Sequence, residues 1–217
     1  MKILVLHSGG MDSTVCLLLA KTVTSDVISL GINYGQKHEI EMAYAKAQCI
    51  KYEIPRKIVN VTWDKPTREI PLDRLPSQMP QKISSAFLPG RNLLFLSIAG
   101  AEAAGLMADE VWVGINCIDY SGYPDCTVEF FEEFKKLWKI AVPEGVKIVA
   151  PLLDQSKPMI ARKAKELGLA KNETWSCYKP QVSPNGLAPC GRCDACVLHE
   201  YAWSELKNAP TTPNIKT

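Results

Sequence analysis

The feature that most constrains what this chain can fold into lies at its start. An apolar run, Ile3 to Leu6, stops at Ser8-Gly9-Gly10, and apolar residues resume at helical spacing with Val15, Leu18 and Leu19. The local unit is therefore strand, glycine turn, helix. Two glycines permit a tight turn with positive φ and put no Cβ between the backbone amides and a ligand. Ser8 and Ser13 add hydroxyls, and the new helix aims unpaired N–H groups and its positive dipole end at the same spot. This is the chemistry of an anion site, most naturally a phosphate cradle formed by Ser8, Gly9, Gly10, Met11, Asp12, Ser13 and Thr14. The plainer alternative is an ordinary strand-to-helix turn capped by Asp12 or Ser13. No Gly-Lys-Ser/Thr follows, and Gly-x-Gly-x-x-Gly is absent, so neither the Walker nor the dinucleotide fingerprint applies.

The remaining chain repeats the unit. Val27 to Asn33 reads as a second strand, His38 to Tyr52 as a helix, and Lys57 to Val61 as a third strand. Leu93 to Leu106 is a small-residue helix, Glu110 to Asn116 a strand, Thr127 to Val142 a helix and Lys147 to Leu153 a fifth strand. Ser156 caps a helix that starts near Pro158 and stops at Gly168. Strands alternating with helices imply right-handed crossovers, hence an α/β fold with a doubly wound, mostly parallel five-stranded sheet and helices on both faces. Ligands in such sheets sit at the carboxyl ends of the strands beside the topological switch point, where the Ser8–Ser13 loop falls. Thr62 to Ser85 breaks the rhythm with Pro66, Pro71, Pro76 and Pro80, and is either a mobile lid or a surface excursion.

Eight cysteines in a chain without an export signal or a long apolar run point to the cytoplasm, where clustered thiols bind metal rather than pair. Cys177, Cys190, Cys193 and Cys196 are spaced C-x12-C-x2-C-x2-C, which suits one tetrahedral ion in a small C-terminal appendage with four cysteine ligands. Zinc is the natural occupant; an iron–sulfur cluster and incidental thiols are the rivals. The division expected is an α/β domain over 1–170, a zinc-binding region with a helix over 171–207, and a flexible tail over 208–217. A net charge of +2 implies no strong attraction to nucleic acid or to a membrane surface.

Asp119 to Cys126 follows the fourth strand and so lies on the same rim as the glycine loop. Asp119 and Asp125 offer acceptors for the amine edge of a purine-like ring, and Tyr120, Ser121 and Tyr123 offer hydroxyls and aromatic faces. A turn with a helix cap is the competing account. Cys126 beside Asp125 reads as a bystander rather than a nucleophile. Arg91 and Lys157, each at a helix start, are cations able to neutralise leaving pyrophosphate, though surface Arg and Lys are usually just solvated. His7, His38 and His199 are assigned no catalysis.

Ser-Gly-Gly-x-Asp-Ser after the first strand resembles the pyrophosphate loop of the N-type ATP pyrophosphatases. The ordered set is longer: Tyr34-Gly35-Gln36-x-His38, Phe87-x-Pro89-Gly90-Arg91-Asn92, Asp119 through Cys126, Trp175-Ser176-Cys177-Tyr178 and Cys190-Gly191-x-Cys193-x-x-Cys196. Over residues 1 to 207 it resembles the 7-cyano-7-deazaguanine synthase family. The resemblance implies an ATP-dependent ligase of queuosine biosynthesis that turns 7-carboxy-7-deazaguanine and ammonia into the nitrile through an adenylate and an amide. It implies ATP as co-substrate at Ser8–Thr14 with Mg²⁺, and Ser13, Arg91 and Lys157 as the catalytic set. Substrate would be held by Arg91, Asn92, Asp119, Tyr120, Ser121, Tyr123 and Asp125. A structural Zn²⁺, a homodimer, and no nucleic-acid or membrane partner complete the expectation. His199 stands where relatives commonly carry Arg, which puts any contact of that Arg in doubt. A tRNA-thiolating adenylase is the rival enzyme, and it would need a basic surface that a charge of +2 does not supply. A nucleotide-sensing module without turnover is the non-enzymatic rival.

Overall fold

The computed structural model describes residues 1–35, 40–66, 69–79, 81–117, 122–142, 145–184 and 186–208. Asp119, Tyr120, Ser121 and His38 lie outside the described residues. Five parallel strands form one sheet in the order β3-β2-β1-β4-β5. They are β1 (Ile3–Leu6), β2 (Val27–Asn33), β3 (Arg56–Asn60), β4 (Glu110–Val113) and β5 (Lys147–Val149). β1 pairs with β2 on one side and with β4 on the other. The winding reverses between β1 and β4, so the switch point lies at the end of β1.

Ile3, Leu4 and Val5 are fully buried because both faces of β1 are covered, as expected for the central strand of a parallel sheet. Ile3 and Val5 face a core built with α1 (Met11–Val23), α2 (Ile40–Lys51) and α5 (Lys157–Glu166), in which Val15, Cys49 and Ile160 meet. Leu4 faces the opposite core, made with Leu96 and Ala103 of α3 (Arg91–Leu106) and Phe134 and Trp138 of α4 (Val128–Ala141). Strands 4 and 5 end several residues earlier than their apolar runs, because Gly114–Asn116 and the residues after Val149 leave the ladder to line or brace the sheet's upper edge. No helix among the described residues is long and apolar enough to cross a membrane.

The C-terminal segment carries a short antiparallel hairpin, β6 (Gln181–Ser183) with β7 (Gly186–Ala188), and then α6 (Asp194–Ser204). Val182 and Leu187 of this hairpin are exposed, so no apolar alternation marked it in the sequence. Ala202 of α6 is buried in the same core as α1 and α5, which ties the cysteine-bearing region to the sheet's helical layer.

The Pro-rich stretch is a strap that bonds to the cysteine-bearing region. Leu72 bridges Cys193, the Asp73 N–H donates to the Arg192 carbonyl at 2.8 Å, and Arg192 pairs with the Asp73 carboxylate. Arg74 donates to the Asp194 carboxylate at 2.8 Å and to the Met79 carbonyl at 2.9 Å. Asp194 is fully buried, so this pair is shielded and rigid in a way that exposed pairs are not.

Candidate active site at the sheet switch point

A cavity of about 660 Å³ opens above the carboxyl ends of β1, β2 and β4. Its floor is the Ser8–Ser13 turn. Gly9 adopts φ +94°, and a Cβ there would lie 2.5 Å from the Glu41 carbonyl and 2.8 Å from the Ala45 amide, so only glycine lets α2 approach this closely. Gly114 plays the same part from the other side. A Cβ on it would lie 2.9 Å from both Asp12 C and Ser13 N, so the end of β4 presses against the start of α1.

The turn's carbonyls face the protein. Gly9 O accepts from the Trp175 amide at 3.1 Å and from Gln48 Nε2 at 3.2 Å, and Gly10 O accepts from the Thr14 hydroxyl at 2.8 Å. Gly10 caps α1 with no side-chain hydrogen bond. The amides of Gly9, Met11, Asp12 and Ser13 find no partner among the described residues. Ser13 Oγ accepts from the Ser8 amide at 3.2 Å and sits 3.1 Å from Ser8 Oγ, so the two hydroxyls lie side by side on the rim of the turn.

A buried polar network holds this arrangement from below. His7 Nδ1 lies 3.0 Å from Ser29 Oγ and 3.2 Å from an Arg56 nitrogen, which can only donate, so the ring carries its proton on Nε2. Nε2 then donates to Gln48 Oε1 at 2.9 Å, while Gln48 Nε2 reaches Gly9 O and Glu173 O. Burial and the neighbouring Arg56 push the His7 pKa down to about 3, so the ring is neutral. It is a scaffold for the turn, with no proton to give.

Lys157 pairs with Asp12 across the mouth of the turn. Arg91, at the start of α3, points into the cavity and lies 5.8 Å from the Tyr123 ring. No hydrogen bond or ion pair to its guanidinium occurs among the described residues. Burial works against its charge, but Tyr34, Tyr178, Tyr123 and Asp125 outweigh that and hold its pKa above the ordinary guanidinium value. Tyr34, Phe95, Tyr123 and Tyr178 give the cavity aromatic walls, and Lys65 and Pro66 of the strap close one side.

Asn92 and Asp125 are spent on each other. The Asn92 amide donates to Asp125 Oδ2 at 3.1 Å, and Asn92 Nδ2 donates to the Asp125 carbonyl at 2.9 Å. Asp125 is buried and lies outside the cavity lining, and burial raises its pKa. Cys126 lines the cavity, but burial and the Asp125 carboxylate push its thiol up to about 12, so it is protonated at neutral pH. His199 also lines the cavity, half-buried, with Nε2 3.2 Å from the Lys171 carbonyl and its pKa lowered by burial. Sequence reasoning missed Gln48, Gly114 and Glu41; only the out-of-place polar Gln48 in an apolar helix face offered a signal.

Beside the cavity, which Cys177 itself lines, Cys177, Cys190, Cys193 and Cys196 place their sulfurs within 4.8 Å of one another. Tetrahedral zinc needs about 3.8 Å between sulfurs, so the set fits with small adjustment. The amides of Cys190 and Cys193 donate to thiol sulfurs at 3.3 Å, which would offset thiolate charge. The four residues can hold a metal ion.

Fold and site define the class: a doubly wound α/β protein with a turn of unpartnered amides at its switch point and a four-cysteine lobe that can hold a metal ion. The chain belongs to the QueC family, described as "Queuosine biosynthesis protein QueC", which matches residues 2–207. It is 56% identical to 7-cyano-7-deazaguanine synthase 2 of Rhodopseudomonas palustris, over 95% of this chain and 98% of that one. It is 34% identical to 7-cyano-7-deazaguanine synthase of a Cyanothece species, over 98% and 99% of the two chains. Among solved structures, the U34-tRNA thiolase NcsA from Methanococcus maripaludis, with its [4Fe-4S] cluster, matches with a TM-score of 0.53 at 17% identity. That match covers 97% of this chain and 68% of the thiolase and shows a shared fold.

Proposed function

We propose that this QueC-family chain is an ATP-dependent carbon–nitrogen ligase that converts 7-carboxy-7-deazaguanine and ammonia to 7-cyano-7-deazaguanine. The observation that carries the reading is the pair of unpartnered donor sets at one cavity: the amides of Met11, Asp12 and Ser13 on its floor, and the Arg91 guanidinium on its wall. Donors left unpaired inside a protein are costly, and anions are what satisfy them. Two anions must meet here, a triphosphate and a carboxylate, and two donor sets supply the places.

ATP, entering with Mg²⁺, would lay its outer phosphates on the turn from Ser8 to Thr14. Ser13, Arg91 and Lys157 would stabilise the charge that develops as pyrophosphate departs. The substrate carboxylate attacks the α-phosphate, and ammonia displaces AMP to give an amide. A second activation of that amide and loss of water give the nitrile. The flat heterocycle suits the walls of Tyr123 and Phe95, with Arg91 toward its carboxylate. Asp119, Tyr120 and Ser121 belong to the proposed substrate side as well; Asn92 and Asp125 are better assigned to fixing the start of α3. The cysteine lobe would hold zinc as a brace, since four thiolates in a closed site leave no open position for catalysis.

The test is pyrophosphate release by the purified protein with ATP, with and without the deazaguanine acid and ammonium. Release that depends on the acid supports the ligase; ATP binding without it makes the chain a sensing module. Visible absorbance by the purified protein would replace zinc with an iron–sulfur cluster.

A further inference from the structure

Two carboxylates line the cavity among the described residues, and they differ in kind. Asp12 is paired with Lys157. Glu41, in the first turn of α2, has no hydrogen bond or ion pair to its carboxylate among the described residues. It is half-buried, and its own carbonyl packs on Gly9, so α2 delivers the side chain beside the anion-binding turn. A carboxylate with neither hydrogen bond nor ion pair among the described residues, beside a turn of unpartnered amides, repels any anion that the turn would hold. That placement asks for a chemical role.

We propose that Glu41 is the proton acceptor for the nitrogen nucleophile in the amide-forming half of the reaction. The inference rests on the ligase reading above. Ammonium must lose two protons to become an amide nitrogen. In the proposed step Glu41 takes the first, which frees the nitrogen lone pair. The C–N bond then forms at the acyl carbon, the C–O bond to AMP breaks, and AMP leaves with that electron pair. The second nitrogen proton goes to the departing phosphate, and Glu41 returns its own to solvent through the open mouth of the cavity.

The setting suits that task. Burial raises the Glu41 pKa to about 7, against an opposing pull from Arg91. A base poised near the working pH is the efficient one. The groups that face it are Arg91 from α3 and Tyr178 from the C-terminal segment, with Arg56 of β3 touching the next residue, Met42, at 3.6 Å. Lys65 of the strap lines the same cavity. Arg91 keeps its charge throughout, and the Tyr178 pKa is raised well above the ordinary tyrosine value, so Glu41 is the group of this set that changes state near neutrality.

The experiment compares wild type with Glu41→Gln, using ATP and the deazaguanine acid, with either ammonium or hydroxylamine as the nucleophile. Hydroxylamine is already an unprotonated nucleophile at neutral pH and traps the adenylate as a hydroxamate without help from a base. The expected result is a loss of about 100-fold or more with ammonium, and hydroxamate formation within about fivefold of wild type. At a fixed concentration of ammonium ion, the wild-type rate should rise with pH and level off above about 7, whereas the variant, left to use free ammonia, should keep rising without that plateau. Glu41→Asp, which keeps a carboxylate, should recover part of the ammonium rate. Equal loss with both nucleophiles, or no loss with either, overturns the assignment. A wild type that releases no pyrophosphate with the acid fails earlier and for a different reason, because then the ligase reading itself is wrong.

Discussion

Two turn-to-helix junctions border the same cavity and are finished in opposite ways. The turn before α1 leaves Gly9, Met11, Asp12 and Ser13 amides without partners among the described residues. The junction before α3, also opened by a glycine, Gly90 at φ +73°, has a cap brought from 33 residues away, with Asp125 accepting from the Asn92 amide. Helix N-termini are chemically alike, each with orphan N–H groups and a positive end. What distinguishes a ligand site from a structural joint is whether the protein has already supplied the acceptor.

That contrast can be broken by substitution. Gly9→Ala forces a Cβ onto the Glu41 carbonyl and strains a positive φ, and should lower acid-dependent pyrophosphate release by more than about 100-fold, with a lower melting temperature. Arg91→Ala should cost about 100-fold in the same assay with melting little changed, because its guanidinium makes no hydrogen bond or ion pair among the described residues. Ser13→Ala should cost about tenfold if the hydroxyl bears on the departing phosphate; unchanged release would remove Ser13 from the site.

Stability measurements sharpen the comparison further. His7 braces the first junction and is neutral when folded, whereas the unfolded chain protonates it below about pH 6.5. Between that pH and about 3 the unfolded state binds more protons, so stability should fall with falling pH by up to about 1.4 kcal/mol per unit. Urea titrations of wild type and His7→Gln across this range would reveal the slope and its loss. The smallest effect is expected at the second junction, where Asp125→Ala should cost about 1 kcal/mol as a lost helix cap. A raised KM for the acid with unchanged melting would return Asp125 to the substrate pocket.

The two junctions were unequally legible. The first is local: strand, glycines, hydroxyls and helix lie within Ile3 to Leu19, and periodicity alone exposes them. The parallel sheet followed from the same rule, since each strand is a short apolar run between helices. The second junction depends on Asn92 meeting Asp125, and in sequence Asp125 looks equally suited to a purine edge. Glu41 was invisible for a related reason. A glutamate in a first helical turn is ordinary, and its character comes only from burial by residues distant in the chain. The hairpin Gln181–Ser183 with Gly186–Ala188 escaped notice because its side chains bury almost nothing.

The clasp between strap and cysteine lobe carries one more consequence. Leu72, Asp73 and Arg74 grip Cys193, Arg192 and Asp194, while the same strap sends Lys65, Pro66 and Ile70 to the cavity wall. An ion held by the cysteines would therefore brace, at second hand, one wall of the cavity, and stripping it with a chelator should open the strap to protease before the sheet yields. Loss of the ion would then loosen the cavity wall before the sheet itself is touched.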